Sequence, residues 1–294
     1  MAERSAGFID YLKALPQYLM PGHLLSRLIH RFTRIRNPRI KNPFTRWFIR
    51  QFGINLDEAM ESEPSAYEHF NAFFTRELRP GVRPIVVGED SVACPVDGAI
   101  SQAMPIQDGR VFQAKGHDYS LVTLLGGSEE RATPFQGGLF TTIYLSPRDY
   151  HRIHMPVTGT LQEMVHVPGR LFSVNPATTR VIPGLFARNE RVVSIFDTAF
   201  GPMAMVKVGA VNVGSIETVW AGEITPPAGR VVRSWHYEGD EAITLQKGEE
   251  MGRFNMGSTV ILVFGPGAVE WAEGVEPGNK VRLGQLLGRR FEAS

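Results

Sequence analysis

The chain carries a single cysteine, Cys94, among its 294 residues, so it can form neither an internal disulfide nor a multi-cysteine zinc site. A reducing compartment agrees with that count without being required by it. No uncharged apolar run reaches the roughly 18 residues needed to span a bilayer. Acidic and basic residues interrupt the first stretch and no small-residue cleavage site follows an apolar run, so no secretory signal is expected. No repeat with a period of roughly 20–50 residues is evident, which removes a solenoid. What the chain does have is glycine and proline, 30 and 20 of them, spread widely. That distribution favours many short strands and turns over a helical protein.

The net charge of +1 conceals an asymmetry. Residues 1–50 hold ten lysines and arginines against Glu3 and Asp10, a net +8 that leaves −7 for the other 244 residues. A basic arm on an acidic body points to an anionic partner, lipid or nucleic acid. Within the arm, Leu24, Leu25, Leu28, Phe32 and Ile35 recur at helical spacing with Arg27, His30, Arg31 and Arg34 on the other flank. Phe44, Trp47 and Phe48 then lie beside Arg46 and Arg50. Such helices suit the interface of an anionic membrane. They equally suit a helical layer packed on the body with its arginines solvated. The aromatic and leucine content places nucleic acid behind both.

Residues 51–80 read as a second helical patch, with Tyr67, Phe70, Phe73 and Phe74 spaced for one buried face. From about residue 82 short apolar runs alternate with turn residues, at 110–113, 138–145, 191–196, 203–213, 242–246 and 260–264. The expected fold is therefore α+β, with N-terminal amphipathic helices in a region 1–81 and a mostly β domain over 82–294. One echo stands out. Pro95-Val96-Asp97-Gly98 is matched by Pro156-Val157-Thr158-Gly159, 61 residues on. In a chain so rich in proline and glycine this is either coincidence or a mark of pseudo-symmetric halves in a flattened barrel of the lipoyl-carrier kind. In the second case Asp97 is the specialised position.

Two stretches carry the chemistry. Asp149-Tyr150-His151-Arg152-Ile153-His154-Met155-Pro156 puts two histidines three residues apart in a dense polar segment. They fit acid–base work, since imidazole titrates near neutral pH. They also fit plain surface histidines, or two metal ligands, although no third ligand is evident and no metal is expected. Near the C-terminus, Gly257-Ser258-Thr259 enters the apolar run 260–264. A Gly–Ser bond before a strand is usually only a turn. It also permits the serine hydroxyl to attack the preceding carbonyl, because glycine leaves the approach open. The resulting ester can eliminate to dehydroalanine, then to a pyruvoyl group and ammonia.

Taken together these stretches carry a family resemblance. Phe74-Thr75-Arg76-Glu77-Leu78-Arg79-Pro80, completed by Arg83-Pro84, resembles the FFxRxLKPxxRP segment of phosphatidylserine decarboxylases. The Asp97 turn resembles that family's PxDG, and residues 149–156 its DYHRxHxP segment. Val167-Pro168-Gly169-Arg170-Leu171-Phe172-Ser173-Val174-Asn175 matches a further block, and residues 247–254 run into the cleavage motif. The family usually writes Leu-Gly-Ser-Thr where this chain has Met256-Gly257-Ser258-Thr259, a swap that keeps volume and polarity.

The resemblance implies self-cleavage between Gly257 and Ser258 by a triad of Ser258, His154 and Asp97, with Asp97 holding the imidazole tautomer. It implies a large chain, 1–257, and a small chain, 258–294, that stay associated. The small chain would begin with a pyruvoyl group derived from Ser258, the only cofactor. That group would form a Schiff base with phosphatidylserine and act as the electron sink for loss of carbon dioxide, giving phosphatidylethanolamine. His151 is the candidate proton donor in that step. The basic arm resembles the membrane-binding extension of the shorter bacterial members. A peripheral place on the cytoplasmic side of the cell membrane follows, and a homodimer of processed pairs is expected on family grounds. Removing residues 1–50 is expected to spare self-cleavage, whose residues lie beyond Gly81. Two rival readings share parts of this pattern. A pyruvoyl decarboxylase of a soluble amino acid would need no such arm. A lipoyl or biotin carrier would need a lysine on a hairpin, whereas Lys207 falls inside a strand pattern.

Overall fold

The helices come first in the chain. The computed structural model describes residues 6–114, 116–211, 215–225, 230–256 and 259–291. It begins with α1 (Phe8–Ala14), α2 (Gly22–Thr33), α3 (Pro38–Phe52) and the short α4 (Phe70–Phe74). The start of α3 is set by Asn37, whose side chain accepts from the Arg39 N–H, and by Pro38 at the first position, where a missing N–H is harmless. Its end is set by Gly53 at φ 63, a left-handed cap.

On α2 and α3 several polar residues turn inward and large apolar ones outward. On α2 the buried residues are Ser26 and Thr33, while Leu24, Leu28 and Phe32 remain 51%, 53% and 40% exposed. On α3, Lys41, Thr45 and Phe48 turn inward and Ile40 and Trp47 stay exposed. The inward Lys41 is matched by the carbonyls of Ser65 and Tyr67 at 2.8 and 2.6 Å. The layer is nonetheless docked. Asp10 of α1 pairs with Arg180 at 3.0 and 2.9 Å, and Ala14 enters the main core. Phe48 joins Phe70, Phe73 and Phe74 in a separate aromatic cluster. Between α3 and α4 the expected helical patch is largely turns. There the side chains of Asn55, Glu61 and Glu63 accept the N–H groups of Asp57, Glu63 and Ser65, and so compete with helical hydrogen bonds.

The body is built on a large antiparallel sheet. Its strands run Arg233–His236, Gly159–Val167, Arg191–Thr198, Gly201–Val208, Thr259–Phe264, Leu139–Tyr144, Gly98–Pro105 and Lys280–Val281, with Ile243–Leu245 also paired to Gly159–Val167. Thr259–Phe264 lies at the centre and is buried throughout, which is why it reads as an unbroken apolar run. A second sheet orders Gly222–Thr225, Ile216–Thr218, Glu250–Phe254 and Arg152–His154, and Ser91–Ala93 with Leu286–Arg290 and Val269–Trp271 makes a third.

The mixed α+β architecture is as expected, and the barrel is not. Among the described residues no ladder joins the edge strands of the large sheet, so it stays open. Both Pro-Val-x-Gly turns do open strands, at Gly98 and Gly159. They lie side by side, the Ala93 N–H donating to Pro156 O and the His154 N–H to Pro95 O, each at 2.9 Å. Their strands are not equivalent, however. Gly98–Pro105 has two ladder partners and Gly159–Val167 has three, so a repeated turn does not make pseudo-symmetric halves.

Candidate active site

Gly257 and Ser258, the expected cleavage pair, lie outside the described residues, but the chain on either side of them is well defined. Upstream, Asn255 is buried; its N–H donates to the Ser215 carbonyl at 3.0 Å and its side-chain oxygen accepts from Asn71 Nδ2 at 2.9 Å. Met256 then adopts φ 120, a conformation that side-chain-bearing residues rarely take, and packs against the aromatic cluster of α3 and α4. Downstream, Thr259 is buried with no partner for its Oγ1 among the described residues. It stands in one row with Tyr144 and Ala99 across three neighbouring strands. The Asp97 turn therefore enters the sheet at the same end. Gly98 is required there, because a Cβ would lie 2.5 Å from the Tyr144 carbonyl oxygen.

The two histidines sit on the strand Arg152–His154 and the turn before it, beside Glu250–Phe254. The His151 carbonyl accepts from the Phe254 N–H at 3.0 Å. Its ring is fully buried, packs 4.1 Å from Phe74, and has Nδ1 2.8 Å from the Asp149 carbonyl. A carbonyl only accepts, so Nδ1 carries the hydrogen and Nε2 the lone pair. That Nε2 is buried without a partner among the described residues. Burial pushes the His151 pKa down to about 3, so the ring is neutral at physiological pH.

His154 follows the same rule. Its Nδ1 lies 2.8 Å from the Gly248 carbonyl, which leaves Nε2 to accept from the Tyr150 hydroxyl at 3.2 Å. Burial lowers its pKa, and the Gly248 bond and the charges of Glu250 and Asp97 work in the other direction. Each imidazole is thus a base with its lone pair on Nε2.

Asp97 is placed nearby without touching either ring. Its carboxylate binds Arg83 Nε at 3.0 Å and Nη2 at 2.7 Å and accepts from the Leu283 N–H at 2.8 Å. Arg83 bridges onward to Glu58 at 2.7 Å. The structure therefore does not bring Asp97 and His154 into a hydrogen bond; the Gly248 carbonyl stands where that bond was expected, and Asp97 acts on the ring as a charge. Tyr150, Arg83 and Arg76 were quoted within motifs but given no role, and the Gly248 carbonyl left no side-chain signal at all. Lys207 is fully buried in Gly201–Val208, where Nζ donates to Ser194 Oγ at 2.9 Å. A carrier needs a displayed lysine, and Lys207 is not one.

Comparison with known proteins agrees with the family resemblance. The family model described as phosphatidylserine decarboxylase matches residues 70–289, and a second one, described as PSD, matches residues 12–53. The phosphatidylserine decarboxylase proenzyme of Shewanella amazonensis is 58% identical over 284 residues, 96% of this chain and 99% of that protein. The proenzymes of Shewanella loihica and Shewanella sp. strain ANA-3 are 56% and 57% identical, covering 96% and 95% of the chain and 99% and 97% of their own lengths. The chain belongs to the phosphatidylserine decarboxylase family.

Proposed function

We propose that the chain is made as a proenzyme, cuts itself between Gly257 and Ser258, and then decarboxylates phosphatidylserine to phosphatidylethanolamine and carbon dioxide. The observation that carries this reading is the pair of neutral imidazoles, His151 buried and His154 part-buried, beside the segment that leads into Gly257-Ser258. In maturation His154 Nε2 takes the Ser258 hydroxyl proton, with its ring held by the Gly248 carbonyl and its proton affinity raised by the Asp97 charge. The unfavourable φ of Met256 loads the chain just ahead of the bond to be cut.

The pyruvoyl group made from Ser258 supplies a ketone for the substrate amine and an electron sink for carbon dioxide loss. The surroundings suit it, because Thr259 Oγ1 and His151 Nε2 are buried polar atoms with no partner among the described residues. His151 is neutral, so it first takes a proton from the substrate ammonium and then returns it to the carbon that has lost its carboxyl group. After cleavage the two chains remain joined. Thr259–Phe264 stays hydrogen-bonded between Leu139–Tyr144 and Gly201–Val208, and Leu286–Arg290 stays paired with Ser91–Ala93.

The outward leucines and aromatics of the helical layer, with arginines around them, support a peripheral site on an anionic membrane, the cytoplasmic face of the cell membrane by resemblance. No helix among the described residues is long and apolar enough to cross a membrane. The homodimer of processed pairs is carried over from the family resemblance alone. Denaturing mass spectrometry tests the first half of the reading: two chains are expected, split before Ser258, the smaller one blocked at its N-terminus. Carbon dioxide release from phosphatidylserine but not from free serine tests the second. One intact chain, or turnover of serine alone, would overturn it.

A further inference from the structure

A cavity of ≈ 250 Å³ reaches toward His154 through Tyr150, and its wall includes Arg76, Arg83, Asp97, Arg148, Tyr150 and Lys280. Gly53 and Asn55, just past the end of α3, also border it, so it adjoins the helical layer. The cations on its wall are unevenly matched. Arg83 is paired with both Asp97 and Glu58. Arg76, Arg148 and Lys280 have no carboxylate at ion-pair distance among the described residues.

Arg76 is the anomaly. It is only 5% exposed, its Nε has no hydrogen-bond partner, and its Nη2 makes only a long 3.5 Å contact to the Arg148 carbonyl. A buried guanidinium without a carboxylate at ion-pair distance is costly even after the surroundings relax. The same chain shows the structural alternative. Arg191, 1% exposed, spends four of its five N–H donors on the carbonyls of Leu124, Ala187, Asn189 and Thr123. Arg76, whose guanidinium lies 5.5 Å from the Phe73 ring centre, makes no such set of carbonyl bonds and borders a cavity.

We propose that Arg76, assisted by Arg148 and Lys280 at the cavity wall, is the receptor for the phosphodiester of the substrate headgroup. The inference rests on the phosphatidylserine reading above and adds how the substrate is held. Position supports it: Phe74, two residues before Arg76, packs on His151, and Tyr150 on the cavity wall hydrogen-bonds His154. In phosphatidylserine the phosphate is only a short ester linkage from the reacting carbon, so a phosphate held here keeps the amine end at the imidazoles. The carboxylate is the poorer occupant. A cation fixed on it would stabilise the ground state and lose that interaction as carbon dioxide forms, whereas the phosphodiester keeps its charge throughout. Arg76 would then separate a serine esterified in a phospholipid headgroup from free serine.

The test uses the mature two-chain enzyme with a soluble short-chain phosphatidylserine. Arg76→Gln should mature normally and raise KM by roughly 30- to 100-fold, the loss of a charge-assisted contact, with kcat within about threefold. Arg76→Lys should fall between the two. Inorganic phosphate should compete with the substrate in the wild type and lose that effect in Arg76→Gln. A matured Arg76→Gln with wild-type KM overturns the proposal, as does failure of phosphate to compete in the wild type. If Arg76→Gln does not mature, the Arg148→Gln/Lys280→Gln double variant decides, with KM expected to rise and an unchanged KM refuting. A wild type that never turns over phosphatidylserine would instead overturn the reading on which the inference rests.

Discussion

Replacing Leu19, Leu24 and Leu28 together by glutamine should detach the protein from anionic vesicles while leaving the fold and maturation intact. Their side chains are 90%, 51% and 53% exposed, close to two full leucines of surface facing out of the helical layer. A fully buried leucine is worth about 2 kcal/mol, so insertion of these three contributes on the order of 2–4 kcal/mol to membrane partition. Losing that term weakens binding by roughly 30- to 1,000-fold. Because the residues are exposed and lack core contacts, stability should change by no more than about 0.5 kcal/mol each. The arginines remain, so the residual binding should become more sensitive to salt. Vesicle co-sedimentation at low and physiological salt, run beside a gel that reports cleavage, measures both. A triple variant that sediments like the wild type would show that the outward leucines contact something other than lipid.

Three further outcomes follow from the site. Ser258→Ala should give one uncut, inactive chain, and His154→Ala and Asp97→Asn should slow cutting on a time-course gel; normal maturation of the latter two removes both from the cleavage role. His151→Ala should be cut but should release carbon dioxide about 10²- to 10⁴-fold more slowly, and an uncut variant would show that the two histidines cannot be separated by reaction. Burial also makes His151 a pH-dependent contributor to stability. Its pKa is lowered from 6.5 to about 3, so the unfolded chain takes up the proton first, and the stability present above pH 6.5 is lost as pH falls toward 3. Denaturant unfolding at pH 7 and 4.5 should show an acid loss smaller by about 2–3 kcal/mol in His151→Gln than in the wild type, and equal losses would refute the assignment.

Much of this was legible in the chain, for reasons that also mark the limit. Thr259–Phe264 is buried on both faces, so its apolar run is unbroken and easily read. The period of α2 showed that an apolar face exists but not which way it points; Ser26 and Thr33 turned out to face inward. The stretch between α3 and α4 lost its helix to local side-chain bonds from Asn55, Glu61 and Glu63. Closure of the large sheet depends on edge pairing, and a repeated turn says nothing of that. At the site His151 and His154 were found by their motif, but their orienting partners are the carbonyls of Asp149 and Gly248. Every residue carries such a carbonyl, so only the fold reveals which one is used.

The structure also changes what deletion of the arm should do. From sequence, removing residues 1–50 leaves every residue of the cleavage chemistry in place. In the folded protein the arm and the cleavage segment share a carboxylate and a cluster. Glu223 pairs with His30 at 3.2 Å and with Arg34, and it also accepts from Ser215 Oγ at 2.8 Å and from Asn255 Nδ2 at 3.2 Å. Asn255 stands two residues before Gly257, and Met256 packs against the aromatic cluster to which α3 gives Phe44 and Phe48. Deletion therefore strips His30 and Arg34 from Glu223 and empties the cluster of Phe48, a loss comparable to a core Phe→Ala change of about 3–5 kcal/mol. The truncated chain should mature more slowly than the wild type, whereas the leucine triple variant, which touches neither contact, should mature at the normal rate. Time courses of the two variants side by side separate the cases. If the truncated chain cuts itself as fast as the wild type, the cleavage segment is positioned by the β body alone, and the Glu223 contacts serve only to dock the arm.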